Sequence, residues 1–219
     1  MSEFMEDYYN LRAGEYEEIY NRDDPVRQAE QKKIAEAVKR YFDGRRVLEV
    51  ACGTGYWTKS LSETAKYICA VDNSPEMLAR AKAGKYGCPI DFMLEDAYSL
   101  KFKPGYFNGG LANFWFSHIP KKAIESFMES FHRVLGPGAR VFMADNVLIP
   151  GLGGDLHRPE GSPDTFKLRK LQNGSEHLVL KNYYNPEQLL EIFSRYNSSL
   201  SAENIFYGDC FWYIFYELS

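Results

Sequence analysis

Strand-length apolar runs that alternate with helix-length amphipathic runs predict an α/β protein. The expected architecture is a doubly wound sheet of seven strands, mostly parallel, with an antiparallel C-terminal strand. Three observations carry this. The first apolar run is followed at once by a glycine turn and a new helix, which is the local signature of a crossover unit. The two closing strands are joined only by Tyr207-Gly208-Asp209, short enough for an antiparallel hairpin. The chain has 219 residues, 45% of them hydrophobic, enough for one domain over residues 1–219 with a core that needs neither disulfide nor metal.

Each element follows in order. Residues 4–20 carry Phe4, Tyr8, Leu11, Tyr16, Ile19 and Tyr20 at roughly helical spacing. Residues 25–42 form a clearer helix, with Pro25 in its first turn and Ile34, Ala37, Val38 and Tyr41 as its apolar stripe, ended by Gly44. Residues 47–51 and 67–71 read as strands, flanking a helix that runs to Leu61. A helix over 75–83 opens on Ser74 as its cap, with Pro75 at the first position. Strands follow at 90–94 and 107–114, the latter weakened by Gly109-Gly110. A helix spans 121–135, Gly136-Pro137-Gly138 breaks it, and a strand covers 139–147. Residues 148–164 read as a loop. A hairpin over 165–171 and 175–183, a helix over 186–196 and strands at 200–206 and 210–218 complete the chain.

Charge and cysteine usage exclude several classes. The 26 Lys and Arg against 30 Asp and Glu give a net charge of −4, and the basic residues fall as scattered pairs, so no nucleic-acid partner is expected. The four cysteines form no CxxC pair and read as reduced thiols, with no metal site. No stretch approaches the length of a membrane span and no leader is read at the N-terminus, so a cytoplasmic protein is expected, monomeric or homodimeric.

The segment Glu49-Val50-Ala51-Cys52-Gly53-Thr54-Gly55 is strand, turn and helix start. Gly53 and Gly55 allow backbone conformations and close ligand approach that a Cβ obstructs. Asp72 ends the next strand, where a carboxylate meets ribose hydroxyls, and Glu95-Asp96 follow the third. A dinucleotide fold wants a third glycine at position 58, which is Thr58, and Tyr56-Trp57 crowd the place of a pyrophosphate. S-adenosylmethionine (SAM) has no phosphate and carries cationic groups, which Glu49 suits.

On these residues the chain resembles the class I SAM-dependent methyltransferases, whose Rossmann-like fold and cofactor chemistry it then implies. The resemblance gives Glu49, Ala51, Gly53 and Gly55 to the cofactor loop, with Ala51 standing where the family has glycine. It gives Asp72 to the ribose, Asp96-Ala97 to the adenine and Asn113 to the end of the fourth strand beside the methyl group, and it adds Trp57, Asn73 and Met77. A closer likeness runs through Tyr8-Tyr9, Arg12, Tyr16, His118-Ile119-Pro120 and the Leu171–Gly174 turn. These are similar to phosphonate O-methyltransferases of the dehydrophos type. It implies a lid over residues 1–24 that brings Tyr9, Arg12 and Tyr16 to the cofactor, Arg12 pairing its carboxylate, with S-adenosylhomocysteine as the product left behind.

The acceptor side rests on hairpin register. With a two-residue turn at Asn173-Gly174, each hairpin face mixes apolar and basic residues. With a three-residue loop and Gly174 left-handed, Leu171 pairs with Ser175 and Arg169 with His177. One face then collects Phe166, Leu168, Leu178 and Leu180, and the other Lys167, Arg169, His177 and Lys181. Only the second register separates apolar from basic, so it is the expected one. It places a basic face on an insertion, residues 148–185, over the acceptor site. Arg169, Lys181 and His118 are the expected catalytic residues for a small anionic acceptor: a carboxylate, phosphate or phosphonate. A neutral alcohol or phenol acceptor instead requires His118 as base. Methylation of RNA or protein, a catalytically silent SAM-binding protein, and an NAD-dependent dehydrogenase stand as the alternatives.

Overall fold

The computed structural model describes residues 3–14 and 16–218, without the side chains at 3–7, 18 and 19. Phe4 and Ile19 of the N-terminal stripe therefore lie outside the described side chains. Helix α1 (Glu3–Arg12) ends before Gly14, and the chain resumes as a 3-10 turn at Tyr16–Ile19, so the stripe over 4–20 is two pieces and not one helix. Glycine is a poor helix former and marks the break. Helix α2 (Pro25–Tyr41) starts on Asp24, whose side chain accepts from the Arg27 amide at 3.1 Å.

The alternating series follows: β1 (Arg46–Val50), α3 (Tyr56–Leu61), β2 (Tyr67–Asp72), α4 (Pro75–Lys82), β3 (Ile90–Leu94), β4 (Phe107–Asn113), α5 (Ile124–Arg133) and β5 (Leu135–Asn146). Then come β6 (Leu156–His157), β7 (Phe166–Lys170), β8 (Glu176–Leu180), α6 (Pro186–Phe193), β9 (Ile205–Tyr207) and β10 (Phe211–Glu217). The main sheet has the order β3-β2-β1-β4-β5-β10-β9. Strands β1 to β5 pair in parallel, and β10 runs antiparallel to both β5 and β9. The expected fold class is the observed one. The chain steps outward from β1 to β3 and returns to β4, so the strand order reverses between β1 and β4. Ligands bind at the carboxyl ends of strands beside such a reversal.

Both faces are covered. Leu48, Val50, Phe127, Phe131 and Trp212 belong to the core on one side. Val47, Ile34, Phe42, Leu61 and Phe211 belong to the core on the other. Glu30 on α2 ties the last hairpin to this second layer. Its carboxylate accepts from the amides of Asp209, Cys210 and Phe211 at 2.8, 3.1 and 2.9 Å.

Three expectations are corrected. Residues 121–123 form a 3-10 turn before α5, and β5 begins at Leu135, so Gly136-Pro137-Gly138 lies inside the strand. Gly138 takes a positive φ of 70° and donates to the Leu218 carbonyl at 2.8 Å, and the pairing with β4 slips between Phe107 and Gly109. A bulge, which glycine accommodates, replaces the expected break. The 148–164 segment is not all loop, because β6 adds a strand to the hairpin. Of 200–206, only the end is strand; residues Ala202–Asn204 form a 3-10 turn.

The hairpin has the expected register, with Arg169 opposite His177, Lys170 opposite Glu176, and Gly174 at φ 85°. Its basic face turns inward: Lys167 and Lys181 are buried, whereas Leu168 and Leu178 are 43% and 54% exposed. Among the described residues, no helix is long and apolar enough to cross a membrane.

Candidate active site

Two adjoining cavities open at the carboxyl ends of β1, β4 and β5, and Phe114 lines both. The first is bounded by Tyr9, Tyr16, Ala51, Gly53, Asp72, Asn73 and Met77, with Phe114 and Trp115. The turn after β1 makes it. Ala51, Gly53 and Gly55 all take positive φ (52°, 56° and 86°), and Phe114 at the end of β4 does too (58°). The left-handed region costs an L-residue with a Cβ roughly 1–2 kcal/mol. Strain at two such positions fits a ligand-binding turn held in shape by its surroundings. A Cβ at Gly55 would collide with the Tyr86 hydroxyl, so this glycine is required for packing as well as for φ.

Asp72 accepts from the Gly53 amide at 2.8 Å and the Ser74 amide at 2.9 Å, one per carboxylate oxygen. The Asn73 backbone bonds the carboxylate as well, so of about four acceptor positions one is left for a ligand hydroxyl. Burial raises its pKa against these hydrogen bonds. Glu49 lies behind the turn and does not line the cavity. Burial pushes its carboxyl up to about 8, with the Asp72 charge adding, so at neutral pH it is largely protonated. Glu49 Oε2, Thr54 Oγ1, Trp57 Nε1 and both amide atoms of Asn113 are buried without a hydrogen-bond partner among the described residues. Trp57 stacks on Phe114 with ring centroids 5.4 Å apart and forms the wall behind it.

Asp96 and Ala97 are not brought to the cavity. Asp96 is exposed and its carboxylate accepts from the Tyr98 amide at 3.0 Å, the loop-closing use of a short acidic side chain. Ala97 packs in the core.

The N-terminal segment closes this side. Asn10 bonds Ser74, the cap of α4, at 2.5 Å. Tyr8 packs with Leu171, Val179 and Leu180 of the hairpin. The Arg12 guanidinium sits 5.5 and 5.1 Å from the Tyr8 and Tyr16 ring centres.

The second cavity is lined by Arg12, Arg22, Arg27, Arg169 and Lys181 together with Tyr8, Tyr9, Tyr20, His118 and Tyr183. Among the described residues no carboxylate lines it. Arg169 donates to the Gly153 carbonyl at 2.7 Å, which fixes it beneath the 148–164 segment. Lys181 is buried between the Asp145 carboxylate at 3.0 Å and the Ser117 hydroxyl at 2.6 Å. Asp145 also accepts from the amides of Ser117 and Asn146. Although burial opposes it, Lys181 holds Asp145 below the usual carboxylate range. Burial lowers Lys181 despite that partner.

His118 presents Nδ1 to the Leu180 carbonyl at 2.7 Å and Nε2 to the Tyr9 hydroxyl at 3.2 Å. A carbonyl can only accept, so Nδ1 carries the proton and Nε2 is the acceptor. Burial first, and the Lys181 charge second, depress its pKa to about 3. Held neutral in this way, the imidazole faces the Tyr9 hydroxyl through Nε2.

His177 packs on Tyr8, and Lys167 donates to the Leu152 carbonyl, so half of the basic face serves the scaffold. Sequence reasoning missed Asp145, Arg22 and Arg27. Asp145 sits unremarked in an apolar strand, and its partner lies 36 residues away.

Residues 47–138 match a family model described as a methyltransferase domain. A demethylmenaquinone methyltransferase of Paenarthrobacter aurescens is 33% identical over 105 residues, 47% of this chain and 39% of that protein. The chain thus spans about two fifths of that curated relative's length. A solved structure described as a DhpI-SAM-HEP complex covers 98% of both chains at 25% identity and a TM-score of 0.76. A DhpI-SAH complex covers 97% of this chain and 94% of that one at 26% identity and a TM-score of 0.73. The first cavity fits such a cofactor on its own geometry. The Asn113 amide, buried with no partner, costs roughly 1–3 kcal/mol unless a ligand satisfies it. The strained turn and the Asp72 carboxylate line the cavity; Asn113 itself does not, but it directly precedes Phe114, which does.

Proposed function

We propose, for a chain with the class I SAM-dependent methyltransferase fold and the methyltransferase domain at residues 47–138, that it moves a methyl group to an oxygen of a small anionic acceptor. The observation that carries this reading is the second cavity. Four arginines and a lysine line it, and the lysine alone has a described carboxylate partner, behind the wall. At an effective dielectric of about 20, one unit charge 4 Å from another interacts by about 4 kcal/mol. Such a site selects anions and rejects cations.

When bound, SAM supplies a methyl group already activated on a sulfonium sulfur. Asp72 would hold the ribose hydroxyls, the turn from Ala51 to Gly55 would accommodate the close approach, and Asn113, just before Phe114, would offer its amide to the cofactor's polar atoms. Tyr9, Arg12 and Tyr16 cover the site and exclude water, and residues 1–24 act as its lid. Arg169 and Lys181 would hold and orient the acceptor for transfer of the methyl group. An ionised acceptor oxygen needs no base, which suits a His118 that binds protons weakly. The Asp145 partner tempers Lys181, so the anion is positioned without having its nucleophilic lone pair quenched. The DhpI complex with SAM and HEP supports a small-molecule acceptor.

Arg169→Ala tests the reading. Loss of a charge-assisted contact worth about 1.5–3 kcal/mol raises the acceptor KM about 10- to 100-fold. Affinity for S-adenosylhomocysteine, measured by calorimetry, stays within about twofold. An unchanged KM would remove the anion clamp from the account.

A further inference from the structure

Arg27 is one of the second cavity's cations, and the methyl-transfer reading gives it no contact of its own. It stands in the first turn of α2 and is only 7% exposed. Its guanidinium lies 4.5 Å from the Phe211 ring centre, and Phe211 meets Phe114 edge-on at 5.2 Å. Arg27 and Phe114 both line the second cavity. Among the described residues the buried Nε of Arg27 has no hydrogen-bond partner and no carboxylate forms an ion pair with the side chain, although the Asp24 charge lies near enough to favour the cation. Arg22, exposed on the turn before α2, lines the same cavity and adds a like charge. Burial first, and Arg22 second, disfavour the charged form, yet an arginine keeps its proton in proteins. A buried cation without a counter-ion is costly, so the arrangement points to an anion that arrives with a ligand. A ring contact offsets only a small part of that cost.

We propose that Arg27, assisted by Arg22, forms an anion subsite for a carboxylate-class group, distinct from the Arg169 and Lys181 pair on the hairpin. The proposal rests on the methyl-transfer reading for the identity of the ligands that bring the group. Two sources share this chemistry. One is the amino-acid end of the cofactor, which would displace Arg12 from that role. The other is a second acid group on the acceptor, which would make the acceptor doubly acidic.

Calorimetry on the full chain separates them, with Arg27→Gln, Arg27→Lys and the exposed Arg22→Gln beside wild type. Circular dichroism melting confirms that each variant folds. In the first arm the probes are S-adenosylhomocysteine and methylthioadenosine, which lacks the amino-acid end. In the second they are phosphonoacetate and methylphosphonate, added to protein saturated with S-adenosylhomocysteine.

The subsite predicts that wild type prefers the more acidic probe in one arm. Arg27→Gln then reduces that preference about tenfold, Arg22→Gln reduces it less, and Arg27→Lys restores part of it. A change in the first arm assigns the cofactor's carboxylate, and a change in the second assigns the acceptor. If folded Arg27→Gln keeps both preferences, or wild type has neither, the subsite is refuted. Absence of any methylphosphonate binding instead refutes the anionic-acceptor reading and leaves the first arm as the test of Arg27.

Discussion

Single residues set the chemistry through their surroundings more than through their type. Histidine ordinarily titrates near 6.5, but His118 is held near 3 by burial and by Lys181. The rate of methyl transfer to an ionised acceptor is therefore expected to show no limb near pH 6.5. A bell-shaped profile centred there in wild type and flattened in His118→Asn would return the base role to this residue. Glu49 moves the other way, up to about 8. Its unfolded value is about 4.3, so between those limits the folded state holds a proton that the unfolded chain has released. Stability then falls as pH rises through that window, by at most about 1.4 kcal/mol per unit, and levels off above 8. Glu49→Gln stays neutral and is expected to lose most of the difference between urea melts at pH 5.5 and 7.5. An equal difference in both proteins would show that Glu49 is not the group responsible. Ala51 at φ 52° offers a third case. Glycine there relieves about 1–2 kcal/mol of left-handed strain but adds about 0.4–1 kcal/mol of unfolded-state entropy, leaving a net stabilisation between about 0 and about 1.6 kcal/mol by thermal unfolding. A lower melting temperature for Ala51→Gly would mean that the surrounding turn, not Ala51, bears the strain. The position of Ala51 was legible in the sequence and its conformation was not. Asp145 was illegible altogether, because an acid in an apolar strand acquires meaning only from Lys181 on a distant element.

At the scale of elements, the legible ones are those whose signals are local. The glycine turn after β1, the Ser74 cap of α4 and the three-residue loop of the β7–β8 hairpin each follow from neighbouring residues, and the hairpin register follows from separating apolar from basic side chains. The misread elements depend on remote partners. Gly136-Pro137-Gly138 is extended because the end of β10 receives Gly138, and β6 exists because β7 offers it an edge. The orientation of the hairpin was also beyond local signals: its charged face packs inward because Leu152, Gly153 and Asp145 supply acceptors there. The link between α2 and the β9–β10 turn is the strongest remote tie of this kind. Glu30→Ala leaves three amides without their carboxylate and is expected to cost about 3 kcal/mol in denaturant unfolding. A loss below about 0.5 kcal/mol would mean that water replaces the carboxylate at that turn.

The whole molecule joins a cavity at the reversal of strand order to a second, cationic cavity lined largely from outside the main sheet. The seven-stranded sheet brings Asp72, Asn113 and Phe114 to the reversal of strand order between β1 and β4. Helix α1, the turn before α2, the start of α2 and the hairpin then supply the arginines around the second cavity. That division explains why the fold and the cofactor were readable from the sequence while the full extent of the cationic lining was not. The fold has local signatures, whereas the lining is assembled from segments about 140 residues apart. It also defines the most direct test. The protein is incubated with SAM labelled in its methyl group and with matched panels of small phosphonates, phosphates, carboxylates, phenols and quinols. The account predicts label in methyl esters of the anionic panel, lost in Asp72→Ala and strongly reduced in Arg169→Ala. Label confined to the neutral phenols or quinols, with SAM binding intact, would contradict it.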